Sequence, residues 1–141
     1  MQSLYVVKMR KAIKTDARYY IFMEFCNGGD LKDLMEAKAW KITPTIIQTI
    51  MAQLVGGFND MMAVLVIHRD LKLQNIMLHF PDETDTLMKM SKEEKKRFLK
   101  NVDLDKCKFE IKIADFGFSK KLRSKNQVNK TICGTPLYMA P

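Results

Sequence analysis

A polar loop, His68-Arg69-Asp70-Leu71-Lys72-Leu73-Gln74-Asn75, lies between the apolar pairs Val66-Ile67 and Ile76-Met77. It holds an acid, a cation and an amide close together. A second acid heads Asp115-Phe116-Gly117, directly after Glu110 to Ala114. Asp70 can accept or orient the proton of a hydroxyl group. Lys72, two residues on, can reach a phosphate. Asn75 and Asp115 offer hard oxygens suited to Mg2+, which keeps phosphate oxygens and water in its shell. Phosphoryl transfer asks for such a set, because it needs an aligned hydroxyl and neutralised phosphate charge more than covalent help. Plainer readings exist: a loop cap for Asp70 and a solvated surface lysine for Lys72. Gly117 lets the backbone turn sharply behind Asp115.

These groups must be held by neighbouring elements. A long helix is predicted before the loop: Thr43 can cap it and Pro44 suits its first position. Ile47, Ile50, Met51, Leu54, Phe58, Met61, Met62 and Leu65 recur at three- and four-residue steps, one apolar face over 44–65 that reads as core packing. Upstream, Leu4 to Ile13 reads as a strand and Lys14-Thr15-Asp16 as a turn. Tyr19 to Phe25 reads as a second strand, apolar enough to be buried on both faces. Asn27-Gly28-Gly29-Asp30 ends it, and Asp30 can cap a short helix to about Glu36.

Residues 79–109 are densely charged with both signs and read as a surface insertion. Within them, Ser91-Lys92-Glu93-Glu94 has the capping-box spacing of a helix from Lys92 to about Lys100. Glu110 to Ala114 alternates as a half-buried strand does. Lys120 to Lys130 carries five basic residues and no acid, the pattern of a mobile cationic loop.

The 141 residues suit one domain, and 47% hydrophobic with 28% charged is a globular balance. Twenty-four basic against sixteen acidic residues give a net charge of +8, which favours anionic partners. The basic residues cluster in 79–109 and 120–130, not with aromatics on one sheet or helix, which argues against a nucleic-acid binder. Thr45 to Ile67 is broken by Gln48, Gln53, Asn59 and Asp60, which argues against a membrane span. Met1 to Arg10 lacks the pattern of a secretory signal. Cys26, Cys107 and Cys133 are far apart and form no CxxC pair, so neither a zinc site nor a disulfide framework is expected, and a reducing, cytoplasmic setting fits.

Taken in order, HRDLKLQN, IKIADFGF and GTPLYMAP resemble the catalytic loop, the metal-binding motif and the end of the activation segment of protein kinases. Lys72 makes the serine/threonine type the better match. KIADFGF with CGTPLYMAP, and FMEFCNGGDL upstream, most resemble the unc-51-like, autophagy-initiating group. The resemblance implies an α+β, two-lobed kinase fold in truncated form: small-lobe strands and hinge start over 1–25, and a large-lobe portion over 26–141 with the insertion 79–109. It implies ATP, Mg2+ and a protein substrate. Met23 stands at the gatekeeper position, and the backbones of Glu24 and Cys26 would meet the adenine edge. Asp30 matches the ribose-contacting acid, and Leu31 and Met77 would sandwich the base. Phe116 and His68 would stack inside the core. Thr135 would hydrogen-bond Asp70 and Lys72. Thr131 stands where the family commonly carries an activating phosphate, placed by an upstream kinase or by autophosphorylation, with Arg69 and Lys120 as its partners. Leu73 stands where the family commonly has proline.

The sequence contains no G-x-G-x-x-G loop, no V-A-I-K-type lysine strand and no partner glutamate helix before Leu4. It stops at Ala140-Pro141, before the family's later helices. The expectation is therefore an inactive fragment as an isolated chain, with exposed apolar area on the long helix and unpaired strand edges. The alternative is a non-catalytic kinase remnant that binds or regulates a partner.

Overall fold

A computed structural model describes residues 3–124 and 133–139 of the chain. Strands β1 (Met9–Lys14) and β2 (Tyr19–Met23) form an antiparallel hairpin. Its turn closes where the Thr15 amide donates to the Arg18 carbonyl at 2.8 Å. Every residue of both strands is exposed. This corrects the expectation that Tyr19 to Phe25 is buried on both faces: the run is apolar enough, but no described element packs on either side. Tyr19 is 71% exposed and Phe25 62%. The predicted first strand is shorter at its start. Residues before Met9 instead run as a strap beside strand β5 (Glu110–Ile113), with the Val7 amide on the Ile113 carbonyl at 2.9 Å and the Ile113 amide on the Tyr5 carbonyl at 2.8 Å. Val6 is buried there.

Helix α1 (Leu31–Ala37) begins at Asp30 with a reciprocal capping box through Asp33. Helix α2 (Pro44–Ala63) begins at Thr43, whose hydroxyl accepts from the Ile46 amide, with Pro44 in its first turn. Its buried stripe is Ile46, Ile50, Leu54, Gly57 and Met61. The expected apolar face therefore splits: Ile50, Leu54 and Met61 face the core, while Ile47, Met51 and Met62 face outward. Gly56 and Gly57 sit mid-helix, where each costs about 1 kcal/mol of propensity relative to alanine. The structure gives the reason: a Cβ at Gly56 would lie 2.7 Å from the Tyr5 ring, and one at Gly57 2.9 Å from Ile113 Cδ1. The two glycines let the strap cross the helix and reach β5.

Three further strands frame the polar loop. β3 (Val66–Ile67) precedes it and pairs with β6 (Lys120–Lys121), and β4 (Ile76–His79) follows it and pairs with β5, Ile76 facing Ile113. The 79–109 segment carries helices α3 (Thr84–Lys89) and α4 (Lys92–Asn101), the latter capped by Ser91 and Glu94 as read. It is not merely a surface feature. Phe80, Leu87, Leu99, Leu104 and Phe109 all join the hydrophobic core, and Phe80 meets Phe98 edge-on at 5.2 Å. Its charge is confined to the outward side, which composition alone does not reveal. Buried Asn27 ties the segment down: its side chain donates to the Phe80 carbonyl and accepts from the Phe80 amide, both at 2.8 Å.

Candidate active site

The polar loop closes around Asp70, which is buried. Its Oδ1 accepts from the Thr135 amide at 2.8 Å and the Thr135 hydroxyl at 2.6 Å. Its Oδ2 accepts from Lys72 Nζ at 2.9 Å and from Asn75 Nδ2 at 3.2 Å. Lys72 Nζ also donates to Thr135 Oγ1 at 2.9 Å. Asp70, Lys72, Asn75 and Thr135 thus form one hydrogen-bonded unit. Asn75 is fixed by a short 3-10 turn, Leu73–Asn75, and donates to the Asp70 carbonyl at 2.8 Å. With its nitrogen committed to Asp70, its amide oxygen is the group left to meet a cation.

Asp115 reaches the same place from the other side. The Ala114 amide donates to the Asn75 carbonyl at 2.8 Å, so Asp115 follows immediately beyond the β4–β5 pairing. Its φ of 60° is left-handed, an uncommon state for a residue with a side chain. Asp115 Oδ1 accepts from the Gly117 amide at 3.2 Å, which stabilises the turn and leaves the other oxygen for a ligand. His68 braces this corner. Its Nε2 donates to the Ala114 carbonyl at 2.8 Å, Nδ1 accepts from the Asp70 amide, and the ring meets Phe116 edge-on at 5.0 Å. Asn75 and Asp115 suit Mg2+, which takes few protein oxygens and fills its shell with water and phosphate.

Arg69 also has a positive φ, 69°. Its Nε donates to the Phe118 carbonyl at 2.6 Å, while Nη1 is buried with no hydrogen-bond partner among the described residues. Lys120 lies in β6 opposite Ile67, next to the loop. Thr131 lies outside the described residues.

The Asp70 carboxyl is held at about 2, first by the Thr135 hydroxyl and then by Lys72. An aspartate in an unfolded chain titrates near about 3.9. Because the folded value is the lower one, ionised Asp70 stabilises the native state fully above about pH 4, and that contribution fades as pH falls towards 2. Thr135 is therefore expected to leave Asp70 only as pH approaches about 2. An NMR titration of the Thr135 amide would check this; a midpoint near the ordinary aspartate value would show that Thr135 and Lys72 do not grip the carboxylate.

The predicted base-binding residues are less closely gathered. Cys26 and Met77 line one cleft of about 470 Å3 together with Phe25, Asn27, Gly28 and Gly29. Met23 stays on the exposed hairpin. Glu24 donates its amide to the Lys8 carbonyl, at 2.9 Å. Asp30 is committed to capping α1, and burial raises its carboxyl above the usual aspartate range. Leu31 is a core residue, 5% exposed, the first residue of α1, and is buried as Leu34 is. Burial, and then the Glu24 charge, pushes the Cys26 thiol up to about 11, so it is a neutral lining group and not a nucleophile.

The comparisons with known proteins agree with this geometry. Residues 1–141 match the family described as protein kinase domain. The chain belongs to the protein kinase family. Serine/threonine-protein kinase ULK1 of Homo sapiens is 37% identical over 122 residues, covering 86% of this chain and 10% of that protein. Serine/threonine-protein kinase unc-51 of Caenorhabditis elegans is 34% identical over 136 residues, 96% of this chain and 14% of that one. Serine/threonine-protein kinase ATG1 of Mycosarcoma maydis is 31% identical over 163 residues, 96% and 15%. The chain thus spans a small part of the length of the relatives it matches. The enzyme class of these kinases, transferase, and the truncated α+β fold follow from the same match. No helix among the described residues is long and apolar enough to cross a membrane.

Two site residues of this kinase chain escape a reading of the sequence. Gly134 has φ +116°, and a Cβ there would stand 2.3 Å from the Arg69 carbonyl oxygen; its place in C-G-T-P was the available signal. Lys112 is buried in β5, with Nζ donating to the Leu4 carbonyl at 2.9 Å and lying 3.5 Å from Glu24 Oε1 and 3.7 Å from Glu110 Oε2. It ties strap, hinge and β5 at one point. Glu110 lies two residues away on the same strand, but Leu4 and Glu24 are remote in sequence, so no local pattern could reveal the junction.

Proposed function

We propose that this chain carries the phosphoryl-transfer half of a serine/threonine protein kinase, acting on hydroxyl groups of a protein substrate with ATP and Mg2+ in a cytoplasmic setting. The observation that carries it is the closed unit of Asp70, Lys72, Asn75 and Thr135. Bound Mg-ATP would supply the phosphoryl group and offset its charge, with Asn75 and Asp115 holding the metal. Asp70 stays ionised at neutral pH and is placed to orient a substrate hydroxyl and take its proton. Lys72 balances the carboxylate and can turn towards a phosphate oxygen. Thr135 fixes both and sets the floor on which a substrate backbone would lie. The hinge region, with Met23, the backbones of Glu24 and Cys26, and Asp30, Leu31 and Met77, is the side proposed for the nucleotide base and ribose. Regulation by a phosphate on Thr131, from an upstream kinase or from the chain itself, fits the buried, unpartnered Arg69 Nη1 and the position of Lys120, since a phosphate accepts several charge-assisted hydrogen bonds.

The 141 residues contain no G-x-G-x-x-G loop and no lysine strand to position the α- and β-phosphates. The isolated chain is therefore expected to transfer no phosphate above an Asp70→Asn control when given Mg-ATP and a generic basic protein. Asp70-dependent transfer would sink the inactive-fragment reading and mean that another residue among the 141 positions the α- and β-phosphates. The second reading, a non-catalytic kinase remnant that binds a partner, is favoured by the exposed hairpin. It predicts partner capture that Asp70→Asn leaves intact.

A further inference from the structure

The cleft beside Phe25 to Gly29, whose Cys26 and Met77 side is proposed for the nucleotide base, has a further wall on α4 that this role does not use. Helix α4 presents Lys92, Lys95 and Lys96 to it, and α1 presents Asp33 and Glu36. Lys95 stands over the Phe25 ring, 5.6 Å from its centroid. Lys92 and Lys96 are exposed, and neither forms an ion pair among the described residues. The acids opposite are already engaged: Glu36 with Lys32 at 3.5 Å, and Asp33 with the Asp30 amide at 3.3 Å in the α1 cap. The site is concave, with Phe25 and Leu99 among its lining residues, and lacks counter-charge on its α4 wall. Its volume is about 470 Å3.

We propose that this cleft docks an acidic segment of a partner protein through an apolar anchor. Carboxylates of the segment meet Lys92 and Lys96, and an apolar side chain rests on Phe25 and Leu99. Charge complementarity selects this occupant. A nucleic-acid backbone would present negative charge to both walls and would be repelled by Asp33 and Glu36. A peptide can place its acids on the α4 side and neutral groups on the α1 side. The proposal does not depend on catalysis by Asp70.

The test uses the full chain and a fluorescein-labelled peptide, Glu-Asp-Leu-Asp-Glu, followed by anisotropy at low and moderate salt. Saturable binding is expected, weakening with salt as exposed charges are screened. The double variant K92E/K96E should weaken it by about tenfold or more. K89E/K100E, with the same change in net charge on exposed residues away from the cleft, should change it less than about twofold. A Lys-Lys-Leu-Lys-Lys peptide should bind K92E/K96E better than the parent chain, which a misfolded variant could not do. Phe25→Ala should weaken the acidic peptide as well. Equal losses in both double variants, or no saturable binding by the parent, would overturn the site. So would tighter binding of a single-stranded oligonucleotide of equal charge, and binding unchanged in Phe25→Ala would overturn the apolar anchor.

Discussion

Lys112→Met is expected to destabilise the chain by about 3 kcal/mol, because it leaves carboxylates near the interior without their cation. The Lys112 side chain is 8% exposed, and Glu24 and Glu110 are 18% and 27% exposed. Methionine keeps the length and apolar stem but removes the ammonium that also holds the Leu4 carbonyl at 2.9 Å. Chemical denaturation measures the loss. The triple change Glu24→Gln, Lys112→Met, Glu110→Gln should recover most of it, since removing a whole buried ion cluster is far less costly than removing one partner. A single variant as stable as the parent would show that the strap and hinge do not rely on this junction. Amide exchange adds a local readout: the Val7 and Glu24 amides, bonded to Ile113 and Lys8, should lose protection before those of α2.

Gly134→Ala should open the site with little effect elsewhere. An alanine Cβ would stand 2.3 Å from the Arg69 carbonyl, on backbone, at a φ of +116°. Neither partner can give way cheaply: Arg69 itself sits at φ 69° and bonds Phe118 through its side chain. Strain of this kind costs about 1–3 kcal/mol, and the segment can escape it by lifting away. Thr135 would then leave Asp70, whose carboxyl would climb from about 2 towards the usual aspartate value. An NMR titration of Asp70 measures that rise. Thr135→Val, which removes the hydroxyl but keeps the backbone amide bond, should give a smaller one. An unchanged Asp70 titration in Gly134→Ala would show that the close approach to Arg69 does not seat the loop.

Local rules were enough for part of this architecture. Asp30, Thr43 with Pro44, and Ser91 announced three helix starts, because a cap is a contact between residues three apart. The hydrogen-bonded unit around Asp70 was equally legible, since most of its members lie within one loop. Burial was not. Tyr19 to Phe25 shows how much apolar surface the chain offers, but what covers it depends on distant residues. On α2 the period was right, yet the buried stripe includes Ile46 and Gly57 and excludes Ile47 and Met51. A twenty-residue helix can turn by one position without changing its pattern. In 79–109 the charges were conspicuous and the inward residues few, so Phe80, Leu87 and Leu99 passed unnoticed. α3 carries no side-chain cap and left no signal.

The strap at residues 5–7 also bears on how the chain folds. Its bonds to Ile113, and that of Lys112 to Leu4 at a separation of 108 residues, close most of the chain into a loop. The hairpin β1–β2 and the helices can form from nearby residues, and the β4–β5 pair forms once the 79–109 segment folds between its strands, whereas the strap has no partner until β5 exists. Contacts of such range are slow to make and are rewarded only after the closure entropy has been met. The strap should therefore dock last and release first. In stopped-flow refolding, a probe at Tyr5 should lag behind the gain of helical signal, and proteolysis of the native chain should begin near its first residues.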